Sequence, residues 1–334
     1  MLDEKYYTKL VDTHQSKLRI DRYLTSVKVP TSRSRLQKLI KQGKVKVNNE
    51  VITSPHYYVK YHDLIEIEFS KPPVFPLQPE QIPLKIIYED EYLVVIDKPA
   101  GLVVHPAKGN RTGTLVNALL YHTSLSSQGE DQFRPGIVHR LDKNTSGAMV
   151  VAKTEQSYRI LSEMVGNREI TRIYLCLVWG QPDKEGGTVE APIGRSRIDR
   201  KKMAVTSFNS KTAKTYYEVM VKYGAASLVK CQLQTGRTHQ IRVHMNYLGH
   251  PILGDETYGG TAKFPPGVKR KWSHQIPLLS QLVKRQALHA TYLNFQHPIT
   301  KRHMKFKSPL AGDIKKACLY LNQQRKAILD PQNN

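Results

Sequence analysis

GIVHRLDKNTSGAMVVA, residues 136–152, is the stretch around which the rest of the chain is organised. It reads as a short apolar strand, then a polar loop that carries Arg140 and Asp142, then an apolar strand without charge. Gly147 ends the loop, and glycine adopts a positive φ at little cost, so a tight return is possible there. Two interpretations stay open: the loop presents Asp142 as a reactive carboxylate, or Asp142 only caps a turn through residues 144–146.

The composition is that of a folded and strongly basic protein. The 334 residues are enough for two domains, and the hydrophobic content of 40% supports a core. No apolar run approaches the roughly 18 residues of a membrane span, so we expect no membrane partner. With 51 Lys and Arg against 28 Asp and Glu, the net charge of +23 favours a nucleic-acid partner over a merely soluble basic surface.

Neither a metal nor a cofactor is expected. Cys176, Cys231 and Cys318 are too far apart for a disulfide framework or a C-x-x-C metal knuckle. The histidines form no H-E-x-x-H pattern, and residues 109–114 lack the lysine and the spacing of a phosphate loop. The N-terminus has acids and no apolar signal region, so we expect a cytoplasmic protein.

Residues 16–69 predict a compact module with two helices and short strands. Between Asp21 and Glu50 this module has no acid. A helix face with one sign of charge favours contact with phosphates, whereas attraction of cations to a helix end would explain only Lys41 and Lys44. The eight basic residues of this interval are Arg22, Lys28, Arg33, Arg35, Lys38, Lys41, Lys44 and Lys46.

Strands and helices mingle without regular alternation beyond residue 84, which favours an α/β domain with a mixed or antiparallel sheet. Thr238 is placed to cap a helix that runs through Leu248. The other predicted helices are 114–121 and 157–165, and the predicted strands include 86–88, 92–96, 174–178, 216–221 and 228–233.

HRLDKNTSG at residues 139–147 resembles the H-R-L-D-x-x-T-S-G motif of the RluA-type pseudouridine synthases. Five further blocks match this family in its own order, over roughly residues 85–310. They are KPAG at 98–101, IYLCLVWG at 173–180, TGRTHQIRVH at 235–244, GHPILGD at 249–255 and ALHA at 287–290. The resemblance implies an α/β (α+β) pseudouridine synthase fold with a mixed, largely antiparallel central sheet.

SRSRLQKLIKQGKVKVN at residues 32–48 is similar to the small RNA-binding module first described in a ribosomal protein. Many members of the synthase family carry this module at the N-terminus, so the resemblance implies a small N-terminal α+β RNA-binding domain. The expected segments are a flexible lead-in at 1–15, the RNA-binding domain at 16–70, a Pro-rich linker at 71–84, the catalytic domain at 85–325 and a tail at 326–334.

The resemblance also implies roles for four residues. Asp142 matches the catalytic nucleophile, Arg242 the arginine that pairs with it, and Tyr174 the tyrosine that stacks on a flipped uracil or assists a proton step. Arg140 matches the arginine that holds the disturbed RNA. From the residues alone, Arg242 could be a surface arginine, Tyr174 a core tyrosine, and Arg140 a simple ion-pair partner of Asp142.

A second basic segment spans residues 195–214, with Asp199 as its single acid. We interpret it as a loop that grips the RNA backbone, and a solvated hairpin is the alternative. Its cations are Arg195, Arg197, Arg200, Lys201, Lys202, Lys211 and Lys214.

By resemblance, the chain is an RNA pseudouridine synthase that acts on a flipped-out uridine. The N-terminal module favours large-subunit ribosomal RNA, naked or within a ribosomal particle, and a monomer is the default. The alternatives are a synthase that acts on tRNA and a catalytically silent RNA-binding or ribosome-assembly factor. A Ser-His-Asp hydrolase is disfavoured because the chain has no G-x-S-x-G elbow.

Overall fold

The structure of the protein is a computed structural model. It describes residues 6–12, 17–27, 29, 31, 33–69, 77–106, 109–123, 125 and 135–329. The chain divides into two compact units, Met1–Pro76 and Leu77–Asn334. Within the described residues, no helix is both long enough and apolar enough to cross a membrane.

The first unit consists of β1 (Tyr6–Leu10), α1 (Ile20–Ser26), α2 (Arg33–Lys41), β2 (Val45–Val47), β3 (Glu50–Val51) and β4 (Leu64–Glu68). Its four strands form an antiparallel sheet in the order β1-β4-β2-β3. Leu36 and Ile40 of α2 and Ile65 and Ile67 of β4 are buried in one shared core. Their spacing of four in the helix and two in the strand explains why these segments fold against each other.

Strand β1 corrects the expectation of a flexible lead-in at 1–15. Its backbone pairs with β4 from Tyr6 opposite Glu68 to Leu10 opposite Leu64. An edge strand of this kind depends on a partner that lies far along the chain, so local composition does not signal it. Residues 1–5 and 13–15 of this segment, like Ser16, Lys28 and Ser32 of the module, lie outside the described residues.

The second unit is built on a nine-stranded sheet. Its strands are β5 (Lys85–Glu89), β6 (Leu93–Lys98), β7 (Ser146–Ala152), β8 (Thr171–Trp179), β9 (Gly186–Glu190), β12 (Lys214–Lys222), β13 (Ala226–Leu233), β14 (Leu288–Gln296) and β15 (His303–Lys307). A separate two-stranded hairpin consists of β10 (Ile193–Arg195) and β11 (Met203–Val205). The helices are α3 (Leu115–His122), α4 (Glu155–Gly166), α5 (Gln240–Tyr247), α6 (Ile276–Leu282) and α7 (Gly312–Leu329), with a 3-10 helix at Arg270–Gln275.

The sheet is mixed and largely antiparallel, which confirms the predicted fold class. Its order is β5-β6-β7-β14-β8-β13-β12-β9, and β15 pairs with β14. Among the described pairings of this sheet, only β7 with β14 is parallel. The stretch that opens the sequence analysis therefore supplies a central strand, β7.

Strand β7 is buried on both faces, which explains why its sequence is uniformly apolar. Met149 and Val151 point into one core, and Ala148 and Val150 point into the other. Helix α4 adds Leu161 to the second core, whereas α3, α5, α6 and α7 contribute to the first. The sheet is therefore covered on both sides, as a strand without polar alternation requires.

The end of the predicted linker belongs to the second unit. The side-chain amide of Asn117 donates to the carbonyl of Gln78 at 2.8 Å, and the backbone N–H of Glu80 donates to the carbonyl of Asn117 at 2.9 Å. These bonds attach residues 77–84 to α3, which the proline content did not indicate. Residues 70–76 lie outside the described residues, and the predicted start of the tail at 326 is still inside α7, which ends at Leu329.

Gly147 permits the parallel pairing of β7 with β14, because a larger residue would collide there. It has a φ of +118° and lies opposite Ala290. An added Cβ would overlap the backbone of Ala290. We expect Gly147→Ala to lower the free energy of unfolding by about 3 kcal/mol or more, from strain and overpacking together, as measured by urea denaturation.

Gly166→Ala is the matched control for this substitution. Gly166 ends α4, and a Cβ there would meet nothing within 4 Å. We expect its effect on the free energy of unfolding to stay within about 1 kcal/mol. Equal stabilities of the two variants would contradict the close approach at Gly147.

Candidate active site

Asp142 lies on an irregular loop that leads into β7. The short apolar strand predicted before Arg140 forms no ladder in the structure, although Ile137 and Leu141 are buried in the core. The backbone N–H of Thr145 donates to the backbone carbonyl of Asp142 at 3.0 Å and closes the turn. The carboxylate is therefore not needed for the turn and is available for other contacts.

The guanidinium of Arg242 joins two carboxylates. Its Nη1 donates to Oδ2 of Asp142 at 3.1 Å, while Nε and Nη2 donate to the two oxygens of Asp255 at 2.7 and 2.9 Å. Asp255 is fully buried, and the exposed fractions of Arg242 and Asp142 are 7% and 17%. A bidentate pair of this kind fixes the orientation of the guanidinium, which in turn holds the Asp142 carboxylate.

Asp255 is itself held by the backbone. Its Oδ1 accepts from the N–H groups of Thr257 at 3.0 Å and Tyr258 at 3.2 Å. Burial alone would lower the pKa of Arg242, but the hydrogen bonds and charge of Asp255, with those of Asp142, raise it above its usual value. Arg242 therefore stays a cation beside Asp142.

Helix α5 presents Arg242 to the loop. Its N-cap residue is His239 in the left-handed conformation, with φ 58°, rather than the predicted Thr238, and the His239 side chain caps no backbone N–H. Instead His239 Nδ1 lies 2.8 Å from the hydroxyl of Tyr258, and Nε2 lies 3.9 Å from Oδ1 of Asp142. Burial lowers the pKa of His239 more than the nearby Asp142 carboxylate raises it. A neutral imidazole thus faces the second oxygen of Asp142.

Asp142, Tyr174 and Arg242 line one cleft of about 460 Å³ in the second unit. Tyr174 lies on β8, and its side chain is only 5% exposed. Burial raises the pKa of this phenol, so it remains protonated near neutral pH. The three residues that the sequence singled out for chemistry are thus brought together, although they lie on three separate elements.

Arg140 lies at the same cleft but is exposed. Within the described residues it forms no ion pair with Asp142, and the partner of Asp142 is Arg242 instead. The alternative that Arg140 is a simple ion-pair partner of Asp142 is therefore wrong for this structure. Its side chain is available at the cleft entrance.

The cations predicted in the first unit differ in their surroundings. The guanidinium of Arg33 donates to the buried Asp21 at 2.8 Å, so part of its bonding capacity is used inside the unit. Lys38 and Lys41 are exposed in the last turns of α2, and Arg35 near its start is also exposed. Lys38 and Lys41 therefore present charge on the polar face of the helix.

Residues 195–205 of the second basic segment belong to the hairpin β10–β11 and its connecting loop, whereas Lys211 follows the hairpin and Lys214 lies on β12. Arg195, Arg200 and Lys201 are exposed, and the Arg195 guanidinium donates to the carbonyl of Arg200 at 3.0 Å. Lys202 lies 3.8 Å from the carboxylate of Asp199. The charge of this segment is thus concentrated at the tip of the hairpin.

Several residues of the site were not singled out from the sequence. Asp255 stands in the quoted block at 249–255, where an acid after a turn was the available signal. His239 stands in the quoted block at 235–244, whereas Tyr258 gave no local signal. Within the described residues, no group of three or more His, Cys, Asp or Glu side chains is placed to hold a metal ion.

Two basic side chains, Lys98 and Arg285, donate hydrogen bonds to the backbone of this loop. Lys98 is fully buried, and its Nζ donates to the carbonyls of Pro99, Leu102 and Lys143. The Arg285 guanidinium donates to the carbonyl of Asn144 at 2.8 Å. An irregular loop has carbonyls without ladder partners, and these two side chains supply the missing donors.

Lys98 makes the stability of this region depend on pH. The ordinary pKa of a lysine is 10.5, and burial lowers that of Lys98 to about 7. The nearby Asp142 carboxylate acts in the opposite direction but does not cancel the effect of burial. Between these values the unfolded chain binds more protons than the folded chain, so stability rises with pH. We expect the free energy of unfolding of wild type, relative to Lys98→Met, to rise by up to about 1.4 kcal/mol per pH unit between pH 7 and 9.

Urea denaturation at several pH values measures this difference, and Lys85→Met, at an exposed lysine on β5, is the control. A difference that does not change with pH would show that Lys98 stays charged when folded.

Comparisons with known proteins give the family of the chain. Residues 92–247 match the family model described as RNA pseudouridylate synthase, and residues 18–65 match that of the S4 domain. An uncharacterized RNA pseudouridine synthase of Chlorobaculum parvum is 45% identical over 90% of this chain and 93% of its own length. The ribosomal large subunit pseudouridine synthase D of Zymomonas mobilis is 42% identical over 89% of this chain and 91% of its own.

A solved structure supports the same assignment. The human RNA pseudouridylate synthase domain containing 4 matches with a TM-score of 0.51 and 27% identity, over 71% of this chain and 93% of that one. Relatives of this identity span nearly the whole chain, and the cleft residues fall within or beside the matched blocks. The chain therefore belongs to the RNA pseudouridine synthase family and is an enzyme of that class with an S4 domain at its N-terminus.

Proposed function

We propose that the enzyme converts specific uridines of large-subunit ribosomal RNA to pseudouridine, with Asp142 as the nucleophile. The observation that carries the chemistry is the Asp142 carboxylate, held 3.1 Å from Arg242 in a cleft that Tyr174 also lines. The substrate follows from the relatives, because that of Zymomonas mobilis is named for the ribosomal large subunit.

The reaction needs no net cofactor. The bond between N1 of uracil and C1′ of ribose breaks, a bond between C5 and C1′ forms, and the C5 proton is lost while N1 gains one. A carboxylate that bonds transiently to the base or to the sugar divides this exchange into two easier steps. Asp142 is suited to this role because it is largely shielded from solvent and is held by a cation.

We assign the attacking atom to Oδ1 of Asp142. Oδ2 accepts the hydrogen bond from Arg242, whereas Oδ1 lies 3.9 Å from Nε2 of His239, too long for a hydrogen bond. The less tightly held oxygen is the better nucleophile, because it loses less bonding when it attacks. His239 then lies where a neutral imidazole can contact the reacting nucleoside.

Tyr174 and Arg140 take supporting roles in this proposal. The ring of Tyr174 supplies a stacking surface for the flipped uracil, and its protonated hydroxyl is available for proton transfer. Base flipping costs a few kcal/mol of unstacking and unpairing. The exposed guanidinium of Arg140 at the cleft offsets part of that cost by contact with the disturbed RNA.

The remaining basic residues bind the RNA backbone. In the first unit these are Arg33, Arg35, Lys38 and Lys41, and in the hairpin they are Arg195, Arg200, Lys201 and Lys202. Contacts of lysine and arginine with phosphates carry little sequence information, so they position the RNA and the cleft selects the base. Recognition of a ribosomal particle, a monomeric state and a cytoplasmic location stay predictions.

Asp142→Asn should abolish pseudouridine formation, because an amide is not a nucleophile of comparable strength. RNA affinity should stay within about threefold of the wild-type value, because the substitution removes only one negative charge near the RNA. The measurement is pseudouridine mapping on ribosomal RNA and on tRNA from cells that carry wild type, the variant or neither. Asp183→Asn, at an exposed acid after β8, is the control and should retain full activity.

The RNA maps separate the rival functions. If wild type forms pseudouridine in tRNA alone, the substrate is tRNA and not ribosomal RNA. If wild type forms no pseudouridine in either RNA, the result favours a silent RNA-binding factor. Full activity of Asp142→Asn would end its assignment as nucleophile.

The cations of α2 give a second prediction. We expect the double variant Lys38→Gln/Lys41→Gln to weaken RNA binding and to lower the slope of log affinity against log salt by about 1.4, since each lost phosphate contact with single-stranded RNA removes about 0.7. Fluorescence anisotropy with labelled RNA at several salt concentrations measures the slope. Lys60→Gln, at an exposed lysine of the same unit, should leave the slope unchanged. An unchanged slope in the double variant would exclude α2 from the RNA interface.

A further inference from the structure

Arg172 is a buried cation that no described side chain neutralises. It lies on β8 and is only 8% exposed, yet among the described residues its side chain makes no hydrogen bond or ion pair. Its Nε is fully buried and without a partner. Burial of an uncompensated guanidinium is costly, and arginine cannot avoid the cost by losing its proton. The burial of this positive charge is explained if a bound ligand supplies the anion that pairs with it.

Arg172 opens onto the same cleft as Asp142 and Tyr174. Arg172 and Tyr174 are two positions apart on β8, so both side chains project from the same face, about 6.6 Å apart along the strand. This separation resembles that between the base of a nucleotide and its flanking phosphate groups. If Tyr174 stacks on the uracil, Arg172 lies where the backbone of the same nucleotide would pass.

Gly236 leaves the space that the guanidinium occupies. A Cβ at position 236 would lie 3.3 Å from Nη1 of Arg172, closer than ordinary van der Waals contact. No left-handed backbone conformation requires glycine there, so the reason for glycine is space rather than φ. Gly236 thus leaves room for the Arg172 guanidinium that a side chain at this position would narrow.

The surroundings of Arg172 are positive and rich in donors. Arg168 and Arg237 line the same cleft, in which Asp142 is the one carboxylate among the described lining residues. His139 accepts a hydrogen bond from the N–H of Val150 through Nε2, so its proton is on Nδ1, and that atom is also without a partner. Burial, with the charge of Arg172, lowers the pKa of His139 to about 3, so His139 is neutral and adds no second charge.

We propose that Arg172 binds a phosphate group that flanks the flipped uridine, and so sets the position of the nucleotide relative to Asp142. A phosphate oxygen pair matches the planar fork of a guanidinium, whereas a uracil carbonyl brings no charge to offset its burial. The proposal rests on the proposed function, because it takes the flipped nucleotide to be the ligand. Arg172 is a positioning residue rather than a nucleophile.

Stability in the absence of RNA gives the first test. A phosphate ligand predicts that Arg172→Gln melts at the same temperature as wild type or higher, because the substitution removes an unpaired buried charge. A structural role predicts a lower melting temperature. Arg159→Gln, at an exposed arginine of α4 outside the cleft, is the control for loss of a positive charge.

RNA binding gives the second test, in the Asp142→Asn background to separate binding from turnover. The probe is an oligonucleotide from whichever RNA the wild-type enzyme converts, ribosomal RNA or tRNA. An error in the proposed ribosomal substrate therefore does not count against the role of Arg172. We expect Arg172→Gln to weaken binding about tenfold or more and to lower the salt slope by about 0.7. Arg159→Gln should leave affinity within twofold.

A backbone substitution identifies the contacted group. Replacing the phosphate on the 5′ or the 3′ side of the target uridine by a neutral methylphosphonate should weaken binding at one of these positions about as much as Arg172→Gln does. When the protein is Arg172→Gln, the same methylphosphonate should weaken binding little further. Full affinity of Arg172→Gln, or undiminished sensitivity of that variant to both methylphosphonates, would overturn the proposal.

Discussion

The guanidinium of Arg242 is shared between Asp142 and Asp255, and the geometry of the cleft depends on this shared cation. Asp255 is fully buried and takes two of the three hydrogen bonds, so it fixes the plane of the guanidinium, and Asp142 takes the third. Removing one member of a buried ion pair leaves an uncompensated charge, at a cost of about 3 to 5 kcal/mol. The three charges therefore act as one unit, and the loop that carries Asp142 is held against α5 by it.

A second set of contacts holds the same loop from the other side. Lys98 and Arg285 donate to the carbonyls of Lys143 and Asn144, where a regular strand would have used ladder bonds. Arg285 is in turn held by Asp313 at the start of α7, at 2.7 Å. The loop is therefore irregular without being loose, because each side is tied to a distant element of the second unit. A rigid presentation of one carboxylate suits a reaction in which the substrate, and not the protein, has to be rearranged.

The network also reaches the basic hairpin. The hydroxyl of Tyr258 accepts from the backbone N–H of Met203 on β11 at 3.1 Å and lies 2.8 Å from His239, which faces Asp142. A hairpin with cations at its tip is thus connected to the cleft through Met203, which pairs with Arg195 next to the connecting loop. Paired cations such as Arg242 organise the protein, whereas the proposed function assigns exposed cations and Arg172 to contact with RNA. The excess of positive charge seen in the composition is divided between these two uses.

Much of the fold and part of the site follow from the order of residues alone. The uniformly apolar run at β7, the amphipathic helices and the absence of regular strand–helix alternation already indicate a mixed sheet, because hydrophobic spacing is a local property. The matched blocks likewise single out Asp142, Tyr174 and Arg242. Strand β1, the attachment of residues 77–84 and the roles of Asp255, Lys98 and Arg172 depend instead on partners distant in the chain. Whether a charge is paired, buried or left open to a ligand is decided by which elements meet, and only the folded chain brings them together.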